Sequence, residues 1–197
     1  MQLEVSAPAV ALEPGHGLPS DSGRLIPRQT VPELEVQTLQ GPIWRLSEQN
    51  PERFTMIVFY RGYHCPVCSS YLRELDKLHD EFVGRGILVV AISSDTPERA
   101  EMSRSKWQLN LTTIGYGLSI RKAREWGLYV SASRGKSSSG VEEPAIFSEP
   151  GIFVVRPDDT LYWASTSTMP FARPHFSDMV HGFDFVHKMD YPARGEL

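Results

Sequence analysis

The chain has 197 residues, 41% of them hydrophobic and 22% charged, with a formal net charge of −4. That is an ordinary globular composition, long enough to bury one good core. The mild acidity excludes the basic footprint of a nucleic-acid binder, and no apolar run reaches the ~18 residues of a membrane span.

The N-terminus, Met1 to Val5, carries neither a basic nor an apolar region, so no signal peptide is expected and the protein is placed in the cytoplasm. Residues 1–32 hold Pro8, Pro14, Gly15, Gly17, Pro19, Gly23, Pro27 and Pro32 without a sustained period. They are expected to form an extended arm, lying on the main domain (33–197) or on the partner subunit of a homodimer.

Leu34 to Leu39 alternates apolar and polar residues, and Ile43 to Leu46 alternates again after the turn residues Gln40-Gly41-Pro42; two half-exposed strands are expected. Phe54 to Tyr60 is nearly continuous apolar and β-branched, the pattern of a central strand covered on both faces. Val67, Tyr71, Leu75, Leu78 and Phe82 then mark one face of a helix that Gly84 and Gly86 end. Gly86 to Ser93 reads as a second buried strand, completing a right-handed βαβ unit. Thr96 and Pro97 supply an N-cap and first-turn proline for a helix to Trp107. A short strand over Leu111–Ile114 and a short helix over Leu118–Trp126 follow. Ser131 to Gly140 is low-complexity and predicts a mobile loop. Its Gly135-Lys136-Ser137 matches only the tail of a phosphate loop, because the first glycine of that motif would fall at Val130. Ile152–Val155 and Thr160–Ala164 flank the turn residues Arg156 to Asp159, an antiparallel hairpin. A last helix spans His175 to about Met189.

The only two cysteines, Cys65 and Cys68, lie between the first buried strand and the helix after it. With Cys65 at the N-cap and Pro66 at the first helical position, the free backbone N–H groups and the helix dipole favour a Cys65 thiolate. The thiolate is the attacking species, so Cys65 is the candidate nucleophile. Cys68 sits one turn on, at a spacing a disulfide accepts, and is placed to resolve an oxidised Cys65. Arg61 and His64 could add positive charge. Competing chemistries are poorer fits. The six histidines show no zinc-finger spacing, so neither metal nor cofactor is implied, and Ser69 stands where covalent haem would need a histidine.

Tyr60 to Cys68, followed by a helix containing Leu72 and Leu75, resembles the peroxiredoxin-like branch of the alkyl hydroperoxide reductase / thiol-specific antioxidant family. Pro150 to Asp158, Met169 to Pro174 and Asp190 to Gly195 are similar to that branch too, so the likeness covers about 34–195. It implies an α/β thioredoxin-like fold, with a central mixed sheet flanked by helices on both faces. It also implies a thiol-dependent redox enzyme that takes a peroxide or a disulfide. Its reductant would be an external thiol such as thioredoxin, glutaredoxin or glutathione. The alternatives are a thiol-disulfide oxidoreductase without peroxidase activity and a redox-sensing binding module. Three positions depart from the family pattern. Val58 and Gly62 replace the Pro and Thr of Pro-x-x-x-Thr-x-x-Cys, and Pro150 stands where the active-site Arg is expected. Thioredoxins carry a cis-proline at that last position, so Pro150 is expected in cis beside the dithiol, and Arg61 and Arg173 are the candidates to replace the missing Arg.

Overall fold

The computed structural model describes residues 23–197. Most of the predicted N-terminal arm, residues 1–22, lies outside the described residues. The architecture is a seven-stranded mixed sheet in the order β2-β1-β5-β4-β3-β8-β9, with a separate two-stranded sheet of β6 and β7. The strands are β1 (Glu35–Thr38), β2 (Gly41–Arg45), β3 (Phe54–Phe59), β4 (Ile87–Ile92), β5 (Thr113–Tyr116), β6 (Val130–Ala132), β7 (Ile146–Ser148), β8 (Gly151–Val155) and β9 (Leu161–Thr166); the helices are α1 (Pro66–Lys77), α2 (His79–Val83), α3 (Pro97–Trp107), α4 (Ile120–Glu125) and α5 (Phe176–Met189).

β3 is the centre of the molecule because every residue in it is buried. It pairs in parallel with β4 and antiparallel with β8, each in continuous register. Its alternate residues serve two cores. Phe54, Met56, Val58 and Tyr60 face a cluster with Tyr71, Leu75, Phe82, Trp107, Phe176 and Phe183. Ile57 and Phe59 face Leu34, Trp126, Phe153 and Leu161. Burial on both faces is why the sequence reads as an unbroken apolar run rather than an alternation. Residues before β1 belong to the packing. Arg28 N–H donates to the Leu161 carbonyl at 2.7 Å, Leu161 N–H donates to Gln29 at 2.9 Å, and Val31 and Leu34 are buried.

Two expectations along the chain need correction. The helical face after the cysteines is not led by Val67, which is 39% exposed; its inward positions are Cys68, Tyr71, Leu72, Leu75 and Asp76. Placing Cys65 at the N-cap turns Cys68 inward, and residues 68, 72 and 75 then share its side of the helix. The helix also stops at Leu78 and restarts, giving α1 and α2 rather than one rod. The second correction concerns Ser131–Gly140, which is no structureless loop. Ser133 N–H donates to Ala145 at 2.9 Å, Glu143 N–H to Gly135 at 2.8 Å, and Lys136 bridges Glu142, so 130–148 forms a hairpin-like excursion. Its order comes from backbone pairing, which serine- and glycine-rich composition does not advertise.

Asp76, a charged residue on α1, is buried rather than solvated. Its carboxylate instead accepts the backbone N–H groups of Asn110, Leu111 and Thr112 at 2.8–3.0 Å, tying α1 to the entry of β5. Burial pushes its pKa up, but these three donors outweigh that and hold it below the ordinary aspartate value. Asp76→Ala should therefore cost about 2 kcal/mol of stability, by losing charge-assisted bonds and stranding their donors. Urea denaturation at neutral pH measures the loss.

Candidate active site

The site is assembled where β3 and β4 end side by side. After β3, Tyr60 N–H still donates to Ile92 at 3.0 Å, and the chain then turns through Gly62. Gly62 has φ +126°, and a Cβ there would lie 2.7 Å from Asp95 Oδ1. Asp95 follows β4 and is fully buried. It accepts Tyr63 N–H at 2.7 Å and Arg99 Nε at 3.0 Å, pinning the turn from the neighbouring strand. The glycine at the family's threonine position is thus required twice, by a backbone angle that disfavours side chains and by a carboxylate occupying their space.

The turn delivers Cys65 to the head of α1, as expected. Cys65 is the N-cap with φ −97° and ψ 103°, Pro66 follows at the first helical position, and Cys68 N–H donates to Cys65 Sγ at 3.2 Å. Both thiols are free and almost wholly buried. Their environments drive them apart. Hydrogen bonding from the Cys68 thiol, opposed by burial and helped by the Cys68 N–H and the charges of Arg61 and Arg173, lowers the Cys65 pKa to about 7. Burial, and then the neighbouring Cys65, push the Cys68 thiol well up. Near neutral pH a large share of Cys65 is therefore thiolate, whereas Cys68 keeps its proton.

Arg173 joins the dithiol from the far end of the chain. It leaves the turn after β9, where Ala172 takes φ 58°, and its guanidinium lies 3.7 Å over the Tyr71 ring. Its Nη1 is 4.0 Å from Cys68 Sγ, and its Nη2 donates to the Val67 carbonyl at 3.3 Å. Tyr71 is itself fixed, donating its hydroxyl to the Pro174 carbonyl at 2.5 Å. Arg61 approaches from the other side. It lies over the Phe147 ring at 4.6 Å and faces Glu149 at 3.5 Å and Glu143 at 3.8 Å.

Two sequence expectations fail here. His64 does not lend positive charge. It is fully buried, neither ring nitrogen has a hydrogen-bond partner, and its ring lies 4.6 Å from that of Phe147. Burial, and then the charge of Arg61, lower its pKa to about 4, so the imidazole is neutral at pH 7. Pro150 is buried one residue before β8, but no cis peptide bond occurs among the described residues. Its carbonyl accepts Ser167 N–H at 3.0 Å, which continues the β8–β9 pairing, so the chain enters β8 extended rather than through a tight turn.

The state of His64 has a consequence for pH. The unfolded chain takes up this proton near 6.5 and the folded chain only near 4, so the unfolded state binds more protons between those values. Its contribution to stability is complete above about pH 6.5 and is lost as pH falls toward 4. Thermal denaturation should show wild type losing more of its stability between pH 7 and 5 than His64→Phe, which keeps the packing without the titration.

Asp95, Glu143, Phe147 and Glu149 carry no local pattern that marks them as site residues. Asp95 directly precedes the helix start at Thr96 and Pro97 and is masked by it. The other three flank or lie within a strand too short to give a period. The available signal was an acidic residue directly before an apolar run, at Glu149-Pro150-Gly151.

A dithiol at the head of the helix that follows the central strand of a mixed sheet is the arrangement of a thioredoxin-like fold. Residues 27–164 match the AhpC/TSA family, and the chain belongs to that family. A 1-Cys peroxiredoxin from Medicago truncatula is 32% identical over 78 residues; the match spans 40% of this chain and 34% of that protein, about a third of its length. Solved structures of the same fold include Peroxidoxin BcpB from Mycobacterium tuberculosis, with 18% identity, a TM-score of 0.64, and coverage of 82% of this chain and 98% of that one. A peroxiredoxin 6 from Arenicola marina superposes with a TM-score of 0.65 at 17% identity, covering 84% of this chain and 75% of that one.

Proposed function

We propose that this protein is a thiol-dependent peroxidase of the peroxiredoxin type, with Cys65 as the reacting sulfur and Cys68 as its resolver. The observation that carries the reading is the Cys65 sulfur at the head of α1, bonded by the Cys68 N–H and with its pKa lowered to about 7. In the cycle, the Cys65 thiolate attacks the terminal oxygen of a hydroperoxide. The O–O bond breaks, the alkoxide or hydroxide leaves and takes a proton, and Cys65 becomes a sulfenic acid. The Cys68 sulfur then attacks Cys65 sulfur, its proton leaves with the hydroxyl as water, and a Cys65–Cys68 disulfide forms. An external dithiol, itself oxidised, returns two electrons and two protons. A reducing, cytoplasm-like compartment and a homodimer fit this reading.

Gly62 and Pro150 favour a second reading, a thiol-disulfide oxidoreductase. They remove two side chains that the resemblance assigns to a peroxide site, while the dithiol is intact. The test is the rate at which hydrogen peroxide consumes the Cys65 thiol of the reduced protein, followed by quenched alkylation. The peroxidase reading expects that rate to exceed that of free cysteine by orders of magnitude. A rate equal to free cysteine, with rapid oxidation by a protein disulfide, selects the oxidoreductase.

A further inference from the structure

The buried charges beside the dithiol form an arrangement that the cycle above leaves unused. Arg61 is largely buried, and its two acidic partners come from the hairpin that β6 and β7 form. Glu149, whose side chain is 4% exposed, stands 3.5 Å away, and Glu143, whose side chain is 9% exposed, stands 3.8 Å away. Neither contact is a hydrogen bond, and both Arg61 Nε and Glu149 Oε2 are buried without a partner. Glu149 is held from behind, because Ser131 on β6 donates its hydroxyl to Glu149 Oε1 at 2.6 Å. Arg61 is held from above by the Phe147 ring at 4.6 Å. The hairpin is also fastened to α3, where Arg99 donates to the Glu142 carbonyl at 3.0 Å. A buried charge is normally paired and fully bonded. Here one guanidinium is shared between carboxylates that do not quite reach it and Cys65, which is tied to the turn after Arg61 by its N–H bond to the Gly62 carbonyl at 3.0 Å and feels the Arg61 charge.

We propose that Glu149 is a positioning residue for the reactive sulfur: its buried carboxylate holds Arg61 and withholds part of the guanidinium's positive charge from Cys65. The hairpin formed by β6 and β7 thereby sets the reactivity of a site to which it contributes no reacting atom. The direction follows from the contacts. Removing the Glu149 charge while keeping the side-chain shape leaves Arg61 packed on Phe147 and facing Glu143. The freed positive charge then acts more fully on the Cys65 thiolate and stabilises it. The effect must appear against the other groups around the pair. These are Cys68 and Arg173 at the sulfurs, neutral His64 on the turn, Arg99 with its partner Asp95 from α3 and the end of β4, and Glu143 on the hairpin. The inference rests on Cys65 being the reacting thiol but not on the identity of its oxidant.

The experiment is the pH profile of Cys65 alkylation by iodoacetamide in the reduced full-length protein, read by mass spectrometry. Glu149→Gln should move the midpoint down by about half a pH unit or more, and Arg61→Gln should move it up. Glu149→Gln added to Arg61→Gln should then move nothing, and Glu149→Asp, which keeps the charge, should return the midpoint toward wild type. Should Glu149→Gln fail to fold, Glu143→Gln, the more distant carboxylate, is expected to shift the midpoint in the same direction by less. A midpoint unchanged or raised in Glu149→Gln (or in Glu143→Gln where that stands in for it), a midpoint unchanged or lowered in Arg61→Gln, or an undiminished Glu149→Gln shift in the Arg61→Gln background, overturns the inference. Because the readout is alkylation, a protein that proves inert to peroxide leaves the inference standing.

Discussion

Cys65→Ser is expected to reduce peroxide turnover to background, a loss of at least about three orders of magnitude, because a serine hydroxyl at this position has no base to activate it. Cys68→Ser should behave differently. Cys65 would still react once with peroxide but could not close the intramolecular disulfide, so it should accumulate as a sulfenic acid or as a mixed disulfide with an added thiol. The asymmetry follows from the structure. Cys65 receives the Cys68 N–H at the helix head, whereas Cys68 is buried and keeps its proton. Single-turnover oxidation of the two variants, followed by mass spectrometry, separates the roles. Trapping at Cys68 in Cys65→Ser would reverse them. Both variants should fold, since each replaces one sulfur by one oxygen at a site where both side chains are already small.

The second large effect is expected from Gly62→Thr, the substitution that restores the residue the family pattern places there. A Cβ at this position has Asp95 oxygens at 2.7 and 2.8 Å and a backbone φ of +126°. The substitution should destabilise the protein by about 3 kcal/mol or more, through strain and displacement of a buried carboxylate that holds Tyr63 and Arg99. Denaturant unfolding tests the stability change. The peroxide rate should fall with it, because the turn that carries Cys65 is hung on Asp95. Gly62 is therefore part of a different local solution, in which an aspartate at the end of β4 does structural work and leaves no room for a threonine.

The fold was legible to the extent that burial writes itself into the sequence. The unbroken apolar runs of β3, β4 and β8 announced a sheet covered on both faces, and Pro66 and Pro97 marked two helix starts that the structure keeps. Cys65 and Cys68 were found for the same local reason, since capping and one-turn spacing need only four residues. What stayed hidden depends on long-range pairing. Asp76 looks like a surface residue until the chain before β5 brings three backbone donors to it. Arg173, which only the family resemblance pointed to, lies 105 residues from Cys68 in sequence and meets it because the turn after β9 passes the head of α1. Glu143 and Glu149 sit in an excursion whose composition suggested a loop, and His64 looked like a charge donor until its burial became visible.

Those hidden residues change the electrostatic picture of the site. The sequence suggested several cations around one thiolate. The structure keeps Arg61 and Arg173, removes His64 by burial, and sets two carboxylates against Arg61. The dithiol is thus poised by opposing charges from three directions rather than by a single basic neighbour.

The most direct test of the proposed cycle is the mass of the reduced protein after one equivalent of hydrogen peroxide, with peptide mapping of the product. The cycle predicts a product of single-chain mass, with no disulfide between chains, that has lost two hydrogens and has Cys65 and Cys68 linked in one peptide. A stable oxygen adduct on Cys65 beside an unmodified Cys68, or a disulfide joining two chains, would contradict it.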